Sequence, residues 1–151
     1  MLKRLHLTAS LLVLLCIATF FLSTLLSETM GTHSSVAQIK NLIVSPGLWV
    51  LIPAMILAGA SGTFLSRTRW GRLVDSKKKR MPFIAANGLI VLVPCALALN
   101  IWASAGIFDA RFYMVQLIEL IAGATNLVLM GLNARDGLRL RLGRSANSHK
   151  E

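Results

Sequence analysis

Long apolar runs separated by short polar stretches dominate the chain. Three runs contain no Asp, Glu, Lys or Arg, and a fourth is interrupted only by Glu119; they cover residues 7–27, 41–66, 81–108 and 112–134. Each reaches the ~20 apolar residues that a helix needs to cross a bilayer core. The pattern predicts an all-α fold, a four-transmembrane-helix bundle. It forms a single membrane domain over residues 1–151, with spans at about 7–27, 42–65, 83–107 and 112–133.

Composition excludes two other classes of protein. The mean hydropathy is +0.67 and 15% of the residues are charged, well below the ~25% of a soluble domain. A soluble enzyme domain and a disordered chain are therefore both excluded. The first apolar run is also longer than the ~7–15 residues of a signal-peptide core, and no A-x-A site follows it. We expect it to be a retained helix.

Basic residues are distributed very unevenly among the connections. Of the sixteen Lys and Arg residues, all but Lys40 and Arg111 lie before the first span, in the connection 67–81 or in the tail 134–151. The excess of Lys and Arg in cytoplasmic segments orients membrane helices. The distribution predicts that both termini are cytoplasmic, an N-in/C-in topology.

The densest basic cluster is Lys77, Lys78, Lys79 and Arg80. We interpret it first as a topology signal. The alternative is a site for anionic lipid head groups, at ~1 kcal/mol per charge. Nucleic acid is not an expected partner, because no folded basic module accompanies the charges.

One face of the fourth span is predicted to be polar. At 100° per residue, six side chains share an arc of roughly 100°: Gln116, Glu119, Gly123, Asn126, Met130 and Asn133. The opposite face is wholly apolar: Leu117, Ile121, Val128 and Leu132. The apolar face is predicted to meet lipid, and the polar face to meet protein or a cavity.

Glu119 is the one charged residue within the predicted spans. A carboxylate in hydrocarbon costs at least ~2.5–3.5 kcal/mol, so it should be protonated, paired or hydrated. Folding the last two spans into a hairpin places Asn100 at the depth of Glu119 and predicts a hydrogen bond between them. The same folding places Asn87 level with Met130 and Asn133.

Two interpretations of this polar face stay open. The first is a seam of interhelical hydrogen bonds, each contributing ~0.6 kcal/mol. The second is a site where Glu119 binds a proton or a small polar ligand. We favour the seam, because proton relays usually contain several acidic or histidine groups.

Small residues predict where helices approach closely. Gly59 and Gly62 lie in the segment Gly59-Ala60-Ser61-Gly62, beyond a kink expected at Pro53, and Gly123 lies on the polar face of the fourth span. Such residues let helix backbones pack together in membranes.

Searches for catalytic and metal-binding motifs find nothing. The chain has no G-x-x-x-x-G-K-[ST], H-E-x-x-H or G-x-S-x-G sequence. Cys16 and Cys95 lie in separate spans without the spacing of a metal site. His6 and His33 are predicted at opposite faces of the membrane, which argues against their sharing a haem. We expect no catalytic residues, no metal and no cofactor, and therefore no enzyme.

Several segments carry a resemblance to known proteins. They are RMPFIAANGL at residues 80–89, Phe112-Tyr113, Gln116, Glu119-Leu120, Ala122-Gly123-Ala124, Asn126, Met130-Gly131-Leu132-Asn133 and Arg135-Asp136-Gly137. Together they resemble an uncharacterised family of small bacterial four-span inner-membrane proteins. The resemblance implies a multi-pass protein of the bacterial inner (plasma) membrane, and it implies no activity.

Three functions fit these observations. The first is an accessory or assembly component of a membrane complex, in contact with the lipid bilayer and with a membrane-protein partner or a second copy of the chain. The second is a proton-coupled or small polar-solute carrier that uses Glu119. The third is a redox membrane subunit that holds haem or quinone. The sequence favours the accessory component narrowly, since Glu119 lacks a second charged group in the predicted spans.

Overall fold

Helices make up nearly all of the described structure. The computed structural model describes residues 1–67 and 72–148, with side chains in 1–65 and 79–138. The helices are α1 (Leu2–Met30), α2 (His33–Leu42), α3 (Trp49–Arg67), α4 (Arg72–Ala86), α5 (Val93–Ser104) and α6 (Ala110–Ser148). The segment Ile43–Leu48, whose helical backbone is interrupted at Ser45, joins α2 to α3, and a wider, π-helical turn at Asn87–Leu92 joins α4 to α5. The described residues contain no strand.

Four helical segments are long and apolar enough to cross a membrane, which confirms the predicted four-helix bundle. They are Leu2–Met30, His33–Leu65, Lys79–Ser104 and Ala110–Leu138. The predicted tail from residue 134 continues α6 as far as Ser148, and much of the predicted connection 67–81 belongs to α4.

The start of the second span differs from the prediction. The helix begins at His33, because the Thr32 hydroxyl caps it by accepting a hydrogen bond from the Ser35 amide at 3.3 Å. The expected outer connection 28–40 is thereby reduced to a short turn around Gly31. Lys40, placed in that connection from the sequence, lies inside the second span.

The helical backbone of the second span is interrupted at Ser45, ahead of Pro53. Ser45 has extended backbone angles (φ −137°, ψ 111°) between two helical stretches, whereas Pro53 lies within the continuous helix α3. Pro46 follows the bend and has no amide hydrogen to donate to the preceding turn. Because the span starts at His33, Pro46 lies within it instead of in its first turn.

Two apolar clusters hold the helices together. One joins α1 to the second span through Val13, Ile17, Leu48, Leu51, Ala54 and Met55. The other joins α2, α5 and α6 through Val36, Leu99, Ala103 and Phe112. The second cluster fixes α2 against α6, and this contact places the site described below.

The predicted close-packing glycines behave differently from one another. A Cβ atom at Gly62 would collide with the Met81 side chain and lie 2.9 Å from the His6 ring. A Cβ atom at Gly123 would lie 3.3 Å from the Phe21 ring. A Cβ atom at Gly59 would meet nothing within 4 Å. Gly59 therefore makes no close helix contact within the described part of this chain, and its predicted role in packing against another helix stays a prediction.

Candidate charge-pair site within the membrane

Lys40 and Glu119 form an ion pair between the second and fourth spans. Lys40 Nζ lies 2.5 Å from Glu119 Oε2, and the exposed fractions of the two side chains are 0% and 12%. Lys40 follows the start of α2 by seven residues and Glu119 follows the start of α6 by nine. At 1.5 Å per residue, the pair lies roughly 10–14 Å below these helix ends.

Two further side chains complete the environment of the pair. Lys40 Nζ donates to Thr24 Oγ1 at 3.4 Å, and Gln116 Nε2 donates to Glu119 Oε2 at 3.0 Å. Three spans therefore meet at one charged centre. A carboxylate within the membrane was expected to be protonated, paired or hydrated, and Glu119 is paired.

The expected hydrogen bond between Asn100 and Glu119 is not formed. Among the described side chains, Lys40 and Gln116 are the donors to Glu119, and Asn100 Oδ1 has no partner. The prediction was wrong because the third span ends at Ser104 and not near residue 107. The turn between α5 and α6 is therefore centred earlier in the sequence than predicted. Asn100 consequently lies closer to this turn than Glu119 does.

The same change of register explains the position of Asn87. Its Nδ2 donates to Asn126 Oδ1 and to the Ala122 carbonyl, both at 2.9 Å. Asn126 is fully buried and donates in turn to the Ile84 carbonyl at 3.4 Å. Asn87 therefore meets Asn126 and not Asn133, whose Oδ1 has no partner.

The two faces of the fourth span follow the helical-wheel prediction. Gln116 and Asn126 are buried, with exposed fractions of 4% and 0%. On the opposite face, Leu117, Ile121 and Val128 are 58–62% exposed. The polar face is divided into two separate networks, one around Glu119 and one around Asn126.

An apolar cavity of about 50 Å³ ends at the ion pair. Its walls come from α1, the second span, the third span and α6, and include Ile17, Phe20, Leu51, Met55, Val93 and Leu120. Thr24 and Glu119 also line it, and both contact Lys40 Nζ. Ile43 and Leu48, the two ends of the bent segment around Ser45, contribute to the same wall. The cavity thus combines apolar walls with one charged end.

The basic cluster predicted at residues 77–80 is only partly described. Arg80 donates to Asp136 Oδ2 at 2.8 Å, so its charge is paired with a buried carboxylate. Lys79 is exposed, and the side chains of Lys77 and Lys78 lie outside the described residues. Arg80 is therefore engaged within the chain, and the lipid head-group site stays the alternative to the topology signal.

Metal ligands do not cluster in the described part of the chain, where no group of three or more His, Cys, Asp or Glu side chains could hold a metal ion. Comparisons with protein-family models, with curated proteins and with solved structures find no match to this chain. The fold and the site together define a four-span membrane protein with a charged pair buried between its helices.

Proposed function

We propose that this protein is a small proton-coupled carrier in which Glu119 binds the proton. The observation that carries the proposal is the buried Lys40–Glu119 pair at the end of an apolar cavity. Ionisable residues within a membrane are costly, and they commonly mark ion and substrate pathways. The sequence favoured a purely structural seam because Glu119 had no second charged group in the predicted spans. Lys40 is that second charged group.

The bend in the second span supports the same function. Transporters commonly bind substrates where a membrane helix is interrupted, because the interruption frees backbone groups beside a cavity. Here the interruption at Ser45 lies between two cavity-lining residues, Ile43 and Leu48.

Protonation of Glu119 couples proton binding to a change in the rest of the site. In the ionised pair each charge neutralises the other. A protonated Glu119 leaves the Lys40 ammonium, which has no exposed surface, with the Thr24 hydroxyl as its remaining hydrogen-bond partner among the described side chains, while the Glu28 carboxyl interacts with it only electrostatically. Removing one member of a buried ion pair typically costs about 3–5 kcal/mol. Proton binding at Glu119 therefore favours either a movement of α2 relative to α6 or the arrival of another anion.

We further propose that the protein lies in a bacterial inner membrane with both termini in the cytoplasm. Lys40 is paired inside the bundle, so it adds no free charge to the connection beside it. Arg111, in the first turn of α6, is then the single remaining Lys or Arg at that side of the bundle. The positive-inside rule supports an outer location for that side.

The proposal is tested with purified protein in liposomes that contain a pH indicator. Small carboxylates, amides and amines are added one class at a time. We expect one class to change the internal pH faster in liposomes with the wild-type protein than in empty liposomes or with Glu119→Gln, both of which report passive diffusion of the undissociated acid or free amine. Asp109→Asn is the matched control, because it changes an exposed carboxyl before α6 whose hydrogen bond from the Phe112 amide an asparagine can still accept. If no class moves protons in a Glu119-dependent way, the carrier proposal is wrong.

An accessory or assembly role is the second candidate. The Lys40–Glu119 and Arg80–Asp136 pairs both have their partners within the chain, so both can act as structural links without a ligand. The exposed apolar face of α6 would then be a surface for another membrane helix, from a partner or from a second copy. Isolation in mild detergent tests this role, which requires a partner in fixed stoichiometry.

A further inference from the structure

We infer that the cavity binds a short-chain monocarboxylate anion together with one proton, and that the bound carboxylate takes the place of Glu119 beside Lys40. The inference rests on the proposed proton binding by Glu119, and it names the class of solute that the site accepts. Charge, hydrogen bonding and cavity size each support it.

Charge balance selects an anion. Lys40 and Glu119 carry opposite charges, so the pair is neutral as a unit. Glu28 on α1 and Cys95 on α5 are the titratable groups of neighbouring helices that interact electrostatically with both residues. When Glu119 takes a proton, an anion can replace its charge next to the Lys40 ammonium, and the site stays neutral. An amine would bring a second positive charge to a buried ammonium, and like charges repel strongly in a medium of low dielectric constant.

The arrangement of polar groups selects a carboxylate with an apolar body. Thr24 Oγ1 accepts from Lys40 Nζ, which leaves its own hydrogen available for an anion in the cavity. The remaining walls are largely hydrocarbon and aromatic, with Phe20 and Met55 among them. A neutral polar solute such as an amide would lose its hydrogen bonds with water and regain few of them in such a cavity.

The size of the cavity limits the length of the chain. Its volume of about 50 Å³ is roughly a third of the ~150 Å³ of an engineered cavity that holds benzene. A carboxylate with a two- to three-carbon body therefore fits better than a fatty acid, in an order-of-magnitude comparison with that cavity.

The exchange is balanced in atoms and charge. One anion and one proton enter from water, the proton bonds to a Glu119 carboxylate oxygen, and the anion takes its position at Lys40 Nζ. Lys40 remains an ammonium throughout. No covalent bond other than the new O–H bond forms, and nothing is oxidised or reduced.

Calorimetry on the full chain in lipid nanodiscs tests the inference. Propionate, propionamide and propylamine are titrated separately, each in two buffers with different heats of ionisation, so that proton uptake is measured with binding. We expect propionate to bind with uptake of one proton per anion. Its apparent affinity should then fall by about tenfold for each unit rise in pH, the linkage of a single proton. The amide and the amine should show no measurable binding.

Two variants separate the roles of the pair. Glu119→Gln imitates the protonated carboxyl, so it should bind propionate without proton uptake and without dependence on pH. Lys40→Met removes the ammonium and should abolish binding. Asp109→Asn, which changes a carboxyl at the start of α6, should bind propionate with the wild-type proton uptake.

If a variant does not fold, the calorimetry on the wild-type protein is sufficient to test the inference. Binding of propionate without proton uptake, or equal binding of propionate and propionamide, would overturn the inference. If amines or amides instead move protons in the liposome assay in a Glu119-dependent way, the carrier function stands and the carboxylate inference is wrong. If no solute class does so, the carrier function itself is wrong.

Discussion

Arg80 on α4 and Asp136 on α6 form a second ion pair near the end of the bundle opposite Lys40 and Glu119. Their atoms Nη1 and Oδ2 are 2.8 Å apart, and the exposed fractions of the two side chains are 26% and 4%. Arg80 is partly exposed, whereas Lys40 has no exposed surface. The same type of contact therefore joins helices in two different environments, one partly open and one fully enclosed by the chain.

We expect Asp136→Ala to destabilise the protein, because it leaves the partly buried guanidinium of Arg80 without its carboxylate. The loss should be about 1.5–3 kcal/mol, the range for a hydrogen bond to a charged group. Thermal unfolding in detergent measures it. Arg135→Ala is the control, since Arg135 is 56% exposed and lies 3.7 Å from the same carboxylate. Equal losses for the two variants would contradict the assignment of Arg80 as the main partner.

The topology is tested by cysteine labelling in intact cells. In a protein whose native Cys16 and Cys95 are replaced by Ala, an impermeant thiol reagent should label a cysteine at Ser34 or Ala110. It should not label one at Ser76 or Ser145, which follow the basic segments expected to stay inside. Labelling at Ser76 from outside would be incompatible with N-in/C-in.

Gly62 and Gly59 provide a matched pair for helix packing. Gly62→Leu should lower stability by about 1–3 kcal/mol, because the new side chain enters the space of Met81 and His6. Gly59→Leu should change stability by less than about 0.5 kcal/mol, as expected for a position away from packed neighbours. Thermal unfolding of both variants in the same detergent compares their losses of stability. A loss at Gly59 as large as that at Gly62 would show that Gly59 packs against something outside this chain.

The Asn87–Asn126 network should contribute to stability. Asn126→Leu removes the acceptor of Asn87 Nδ2 within a buried contact, so we expect a loss of about 1 kcal/mol or more. Asn133→Leu removes a side chain whose Oδ1 has no partner and should be neutral or stabilising. Thermal unfolding under identical conditions compares them. If Asn133→Leu is the more harmful change, Asn133 has a partner beyond this chain.

The polar face of α6 could be predicted from the sequence because helical periodicity alone determines which side chains share a face. The partner of Glu119 could not be predicted in the same way, since Lys40 marked the apparent edge of an apolar run. Yet Val36, Lys40 and Ile43 follow the i, i+4, i+7 spacing of one helix face, and all three are buried. That spacing, together with the Thr32 cap, was the feature of the sequence that could have predicted Lys40 inside the second span. The register of the hairpin depended on where α5 ends, and composition does not fix helix ends to within one turn.

The stability of the Lys40–Glu119 pair is tested by combining two neutral substitutions. A seam of hydrogen bonds would tolerate Glu119→Gln, because an amide can replace a carboxyl in it. The ion pair would not: Glu119→Gln leaves a buried ammonium without its ion-pair partner, and Lys40→Met leaves a carboxylate with Gln116 as its remaining described hydrogen-bond donor. Each single variant should therefore lose about 3–5 kcal/mol in thermal or denaturant unfolding at neutral pH.

The double variant Lys40→Met with Glu119→Gln removes both charges and keeps an amide oxygen that can accept from Gln116. Replacing a whole buried ion pair by neutral groups is often neutral or stabilising. We therefore expect the double variant to regain most of the stability that either single variant loses, while solute-dependent proton movement in liposomes stays absent. A double variant as unstable as the sum of the two single variants would show that the residues act independently, and the pair would then not be the unit that binds the proton.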